Sequence, residues 1–200
     1  MTIMTPLSFN EAELVGRIEQ LPRGLRAAFG AACAQRLRTA YAAYCARTGR
    51  GDLRAIDAIL LRLWSDLTAS TMSDAEVAEQ IEACMELIPR EDDGPWVTEQ
   101  AAAEDAASAL AYSLRCRLSG HAQEAGWAAR CVYDAIDHYV INHEGIDTNV
   151  AGAEARILAS PLVQAEFARQ SRDIDELLGR DVSIMELRER SMREPALGEL

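Results

Sequence analysis

The chain has 200 residues, with 20 arginines, no lysine, 32 acidic side chains and a formal charge of −12. That length suits one domain, or one domain with an appendage, and so large an acid excess argues against nucleic acid over most of the surface, because a phosphate backbone demands a basic footprint. No run approaches ~18–20 consecutive apolar residues, so neither a transmembrane helix nor a membrane partner is expected, and the opening MTIMTPLSFNEAEL lacks the basic start and apolar run of a secretory signal.

In chain order, residues 1–8 are expected to be loose. Asn10 can cap a short helix through Gln20 that puts Leu14 and Ile18 on one face. Pro22 suits the first position of a second helix to about Thr48, with Leu25, Phe29, Cys33, Leu37, Tyr41 and Tyr44 on its buried side and Gly49-Arg50-Gly51 breaking it. Asp52 caps a third helix, whose stripe of Ile56, Leu60, Leu63 and Leu67 is widened by Ile59, Leu61 and Trp64. A helix apolar over so much of its circumference is expected to be buried on more than one side.

Ser73-x-x-Glu76 is a capping box. It opens a fourth helix to Ile88, with Val77, Ile81, Cys84 or Met85, and Ile88 inward and an acidic far side. Pro89 to Pro95 is a polar loop, too short for a flexible linker between domains. Two long Ala-rich helices follow, 97–119 and 121–141, folded back on each other at Gly120. Ala103, Ala107, Leu110, Leu114 and Leu118 form the stripe of the first, and Ala125, Ala129, Val132, Ile136 and Tyr139 that of the second. Small inner faces let helix axes approach closely, and Gly126, which costs roughly 1 kcal/mol of helix propensity against Ala, marks a close contact.

Beyond a connection at 142–148, a short helix through Leu158 is capped by Thr148 or Asn149. Ser160-Pro161 then starts a helix carrying Leu162, Ala165, Ala168 and Leu177, and Ser183 to Met192 forms the last. The fold expected is all-α: a single domain over 1–200, about eight helices around the central hairpin, with the third helix packed on it and 194–200 loose. Five scattered cysteines without a C-x-x-C pair (Cys33, Cys45, Cys84, Cys116 and Cys131) read as reduced core thiols of a cytoplasmic protein.

The charge is unevenly placed. Residues 1–65 carry a net +4, residues 66–153 a net −13, and residues 154–200 a net −3. Within the middle region Glu79, Glu82 and Glu86 recur at i, i+3 and i+7 and lead into Glu91, Asp92 and Asp93. Like charges on one ridge repel by ~0.2–0.5 kcal/mol per pair, a cost a basic partner would offset; a solvated face explains the same run equally well.

A second candidate is the row Arg130, Asp134, Asp137 and His138, a possible carboxylate–histidine base or pair of metal ligands, though a plain charge ladder is the simpler account. Glu104-Asp105 with Ser108, Tyr112 and Arg115 forms a polar face that could do acid–base work if buried. His143, Glu144 and Asp147 crowd a helix-ending loop without H-E-x-x-H spacing. The basic set Arg36, Arg38, Arg47, Arg50 and Arg54 includes a helix start suited to an anion, with internal pairing at least as good an explanation. Nucleophile elbows, zinc knuckles and dinucleotide glycine patterns are missing, and no cofactor is implied.

The segments LPRGLRAAFGAACAQRL (21–37), YCARTGRGD (44–52), ILLRLW (59–64) and ALAYSLRCRLSGHAQEA (109–125) resemble, in order and spacing, the YjaG-like bacterial family, domain of unknown function 416. The resemblance covers roughly 20–178. It implies an all-helical cytosolic protein and carries over no catalytic residue. By gene context some members resemble immunity proteins encoded beside bacterial toxins. The function expected is therefore a non-enzymatic interaction domain, most concretely an immunity protein covering a basic toxin domain. The alternatives are a metal- or ligand-binding protein or enzyme using Asp134, Asp137 and His138, and a homodimeric housekeeping helper.

Overall fold

The computed structural model describes residues 8–90 and 94–198, which form nine helices and no strand. They are α1 (Glu11–Ile18), α2 (Arg23–Thr48), α3 (Leu53–Ala69), α4 (Asp74–Met85), α5 (Glu99–Ser119), α6 (Ala122–Glu144), α7 (Ala153–Leu158), α8 (Pro161–Gly179) and α9 (Ile184–Arg193). Four of the starts follow the expected caps, whereas α7 begins after Gly152 and not at Thr148 or Asn149. Asn10, Asp52, Ser73 and Ser183 each accept a hydrogen bond from the backbone N–H three residues on, and Ser73 and Ser183 complete capping boxes with Glu76 and Glu186. Gly120, at φ 74°, takes the left-handed turn that folds α6 back on α5.

Helices α4, α5, α6 and α1 lie side by side in that order. Beneath α5 and α6 runs α2, flanked by α3 and α9, while α8 closes against α6 and α2. The hairpin is interior, as its alanines predict: Ala103, Ala107, Ala125 and Ala129 are fully buried.

The more deeply enclosed element is α2. Every residue from Ala27 to Leu37 is buried, around its whole circumference, where the spacing had indicated a single inward side. Small side chains make this possible. At Gly30 an added Cβ would lie 3.1 Å from Ser113 Oγ on α5, so the two backbones nearly touch.

Four further expectations need correction. Helix α3 packs chiefly on α2, with only a minor contact to the hairpin, and Leu61 on its outer side is 53% exposed. Helix α4 ends at Met85 and not at Ile88, and of its two candidate inward residues Cys84 is the buried one, in helical period with Val77 and Ile81, while Met85 is 44% exposed.

On α8 the buried face is Val163, Glu166, Phe167, Gln170, Asp173, Ile174 and Leu177, while Leu162 and Ala168 face solvent. Charged side chains hold positions that an apolar count assigns to others. Finally, the tail does not fray at Glu194. Ala196 and Leu197 are buried, the Ala196 N–H donates to the Arg36 carbonyl (2.9 Å), and the Thr39 hydroxyl donates to the Leu197 carbonyl (3.1 Å). All five cysteines are free thiols, Cys45 half-buried and the others buried.

Candidate functional site

The acidic ridge is set by how α4 docks. Val77 and Cys84 are buried, and the Cys84 thiol donates to the Ala107 carbonyl of α5 at 3.2 Å. That orientation turns Glu79, Glu82 and Glu86 to solvent. Glu86 pairs with Arg90 at 3.1 Å, whereas Glu79 and Glu82 have no ion-pair partner among the described residues. Glu91, Asp92 and Asp93 lie outside the described residues.

The second candidate row divides. Arg130 Nε donates to both Asp134 carboxylate oxygens, at 2.7 and 2.9 Å. Its guanidinium lies over the rings of Phe9 and Tyr133, 5.3 and 5.8 Å from their centroids, and Tyr133 stacks on both Phe9 and Phe167. This aromatic seat fixes the arginine. His138 is exposed and makes no hydrogen bond to Asp134, so the carboxylate–histidine base is not assembled. Burial raises the Asp137 carboxyl above its ordinary range, His138 opposes the shift and Asp134 adds to it.

The face opposite the α5 stripe adds what α6 alone does not show. Antiparallel pairing of α5 and α6 brings Arg115 to Glu124 (3.3 Å) and the Tyr112 ring to the Trp127 ring (5.4 Å between centroids), with Arg115 over Tyr112. Two turns further along α5, Asp105 comes under the influence of Asp134. Asp105 Oδ2 is shielded from solvent and has no hydrogen-bond partner among the described residues. Burial, then Asp134, then Glu104 push this carboxyl up to about 8, against the pull of Arg130. It therefore holds a proton at neutral pH. The facing Cys131 thiol is also raised, by burial first and by Asp105 and Asp134 after it.

The remaining candidates do not converge. His143 and Glu144 belong to the last turn of α6, not to a loop; His143 stacks on Tyr139, and Glu144 pairs with Arg156. Among the described residues no group of three or more His, Cys, Asp or Glu side chains is arranged to hold a metal ion. A cleft of about 280 Å³ opens between the start of α5 and the end of α6, walled by Thr98, Glu99, His138, Tyr139 and Leu197.

The arginines of the basic set point apart. Arg38 grips Asp57 at 2.6 and 2.7 Å, Arg50 lies over Tyr44 and donates to the Pro95 carbonyl, and Arg47 and Arg54 are exposed.

Arg36 is 1% exposed and bonds Glu166 (2.9 and 3.1 Å) and Asp173 (2.8 Å). Burial alone would lower this guanidinium, but Glu166, Cys33 and Asp173 reverse that and hold it above its usual range. Arg169, Arg172 and Arg190 extend the network to Glu176 and Glu194. The sequence signal for it was the polar series Glu166, Gln170, Asp173 at i, i+4, i+7 inside an apolar face.

Comparison with known proteins gives a family and a fold. Residues 13–194 match the family model described as "Protein of unknown function (DUF416)". The crystal structure of a DUF416 family protein from Shewanella baltica OS155 superposes with a TM-score of 0.77 at 15% identity, covering 90% of this chain and 93% of that one. Among curated proteins no relative matches. No helix among the described residues is long and apolar enough to cross a membrane.

Proposed function

The chain belongs to the DUF416 family, and we propose that it is a protein-interaction domain that receives a basic protein partner on the acidic face of α4, α5 and α6. One observation carries the reading: Glu79 and Glu82 stand exposed on α4 with no ion-pair partner among the described residues, while Glu166 and Asp173, packed against α2, are met by the chain's own arginines. Uncompensated like charge on a ridge costs stability and speeds encounter with an oppositely charged surface.

The most concrete form of this proposal is a cytoplasmic immunity protein covering a basic toxin domain. Co-expression and pull-down with the product of the adjacent gene is the test. Salt-sensitive capture of a basic product, lost when Glu79 and Glu82 are changed to glutamine, supports it; failure to bind any genomic neighbour at low salt defeats it.

A second reading, from another class, draws on the proton held at Asp105 beside Asp134. It is an acid–base or ligand site centred on Asp105, Asp134 and Asp137. Stoichiometric metal in the purified protein, abolished by Asp134→Ala, would favour it over the first.

A further inference from the structure

The cleft between the start of α5 and the end of α6 is a hollow of about 280 Å³ with a defined build. Helical spacing assembles its walls. Ala135, His138, Tyr139 and His143 recur at i, i+3, i+4 and i+8 along one face of α6, and Glu99 and Ala102 oppose them from the first turn of α5. The space exists because two of these positions are small. Ala102 and Ala135 are buried, and interiors are close-packed wherever side chains are large enough to meet. The tail supplies the remaining apolar wall. Leu197 is 1% exposed, and its segment is pinned to α2 by the Ala196 N–H on the Arg36 carbonyl and the Thr39 hydroxyl on the Leu197 carbonyl. Three separately held elements thus shape the cleft in advance, as ligand sites usually are.

The polar groups of the cleft are uncommitted. The Glu99 carboxylate, the His138 imidazole and the Tyr139 hydroxyl make no hydrogen bond or ion pair among the described residues. Tyr139 stacks on His143, 5.1 Å between centroids and 11° from parallel, so an aromatic wall stands beside the apolar one. Of the described residues lining the cleft, Glu99 alone is acidic and none is an arginine. The surrounding region, residues 66–153, carries a net −13 and adds a field of the same sign.

We propose that this cleft binds a small organic cation, its flat apolar body against Ala102, Tyr139 and Leu197 and its ammonium group against Glu99. A carboxylate and an aromatic ring are the groups that recognise such a cation. A carboxylate-bearing ligand would meet Glu99 with no arginine to offset it. The volume lies just below the ~300–1,000 Å³ of drug-sized ligand sites, which suits a single ring with a short amino arm. The cleft lies on the α6 side of α5, away from α4, and the inference does not depend on the basic-partner reading.

The test titrates the full chain with 2-phenylethylamine and, as its neutral counterpart, 2-phenylethanol. Binding is followed by the NMR signals of the Glu99 and Ala102 backbone N–H groups and the Tyr139 ring. The amine is expected to shift them saturably and to bind about fivefold tighter than the alcohol, the worth of one partly exposed ion pair. Glu99→Gln is expected to bring the amine down to the alcohol's affinity and to leave the alcohol unchanged. Ala102→Leu is expected to remove binding of both, with a thermal melt to check that it folds; should it not fold, the Glu99→Gln comparison decides alone. Glu79→Gln with Glu82→Gln is expected to change neither affinity, which separates the cleft from general attraction to an acidic surface.

Equal affinity for amine and alcohol, or a preference for the amine that survives Glu99→Gln, overturns the assignment of a cation. So does an equal loss in the Glu79→Gln, Glu82→Gln protein. Failure of both probes to shift the cleft signals saturably overturns the site itself. Each of these results leaves the basic-partner reading standing, since that reading is decided by the pull-down.

Discussion

Where α2 meets α8 and α9, Arg36, Arg169, Arg172 and Arg190 face Glu166, Asp173, Glu176 and Glu194, four positive charges against four negative, in contacts of 2.5–3.8 Å. Across the molecule, on α4, α5 and α6, carboxylates outnumber arginines. Asp134 is clasped, Asp105 keeps its proton, and Glu79 and Glu82 stand in solvent. The same side chains meet two different fates because the first set is built around an enclosed centre, Arg36, Glu166 and Asp173, each 1% exposed. An unpaired charge in an interior is too costly to keep, so burial selects a neutral network there. On the open face water tolerates the excess, and Asp105, shielded without an ion-pair partner among the described residues, is pushed toward its neutral form.

Four measurements break or sharpen this contrast. The largest effect is expected on the enclosed side. Arg36→Met removes the central cation of two buried carboxylates, leaving Glu166 only Arg169 and Asp173 only Arg172 and Arg190, and should cost about 3–5 kcal/mol in urea unfolding; adding Glu166→Gln should recover part of that loss, since it removes one of the excess negative charges. An Arg36→Met protein as stable as the parent would show that the network is ornamental.

The second effect belongs to Asp105. Its carboxyl has an ordinary value of 3.8 and is pushed up to about 8 in the folded protein. Between those values the native state holds a proton that the unfolded chain has lost. Stability from this group is therefore complete below about pH 4 and is lost as pH rises through 8. Asparagine cannot ionise. Asp105→Asn should match the parent near pH 4 and exceed it by on the order of a few kcal/mol at pH 9, read from thermal melts across pH. Curves that run parallel at every pH would mean that Asp105 ionises normally and that the open face has no shielded acid.

The third tests packing where charge plays no part. A Cβ at Gly126 would lie 2.7 Å from Val15 Cγ2 of α1, and valine, branched at Cβ, turns aside poorly. Gly126→Ala gains roughly 1 kcal/mol of helix propensity and loses ~1–3 kcal/mol to overpacking. A net loss of about 1 kcal/mol is expected, reversed by Val15→Ala. The smallest effect is on the exposed ridge: Glu79→Gln with Glu82→Gln should leave stability within ~0.5 kcal/mol, as surface substitutions do. A large loss there would place those glutamates inside a structural network.

How legible the two regions were follows from what each depends on. The ridge was readable because Glu79, Glu82 and Glu86 recur at helical spacing, and which side of α4 turns outward is settled by Val77 and Cys84 on the same helix. Asp105 was visible as a polar-face residue of α5. Its shielding was not, because that depends on Asp134 and Cys131 of the returning helix. The network was hidden further still. Arg36 reads as one of several basic residues, and its partners lie 130 and 137 positions away. Leu162 and Ala168 drew attention as apolar residues on α8, while the face that is buried carries Glu166, Gln170 and Asp173.

From the amino-acid order alone come an all-α fold of about eight helices with several of their caps, the turn at Gly120, the alanine-lined hairpin and the helical spacing of the acid ridge. Those features depend on neighbours within a few positions, through hydrogen bonds to caps and the 3.6-residue period. Tertiary structure alone decided that residues 27–37 of α2 are enclosed on every side, that residues 196 and 197 close onto that helix, and which carboxylates are paired, shielded or bare. Such outcomes turn on how far a group is removed from water and on what charge lies within a few ångströms of it. Both are properties of the packed chain, not of any stretch of it.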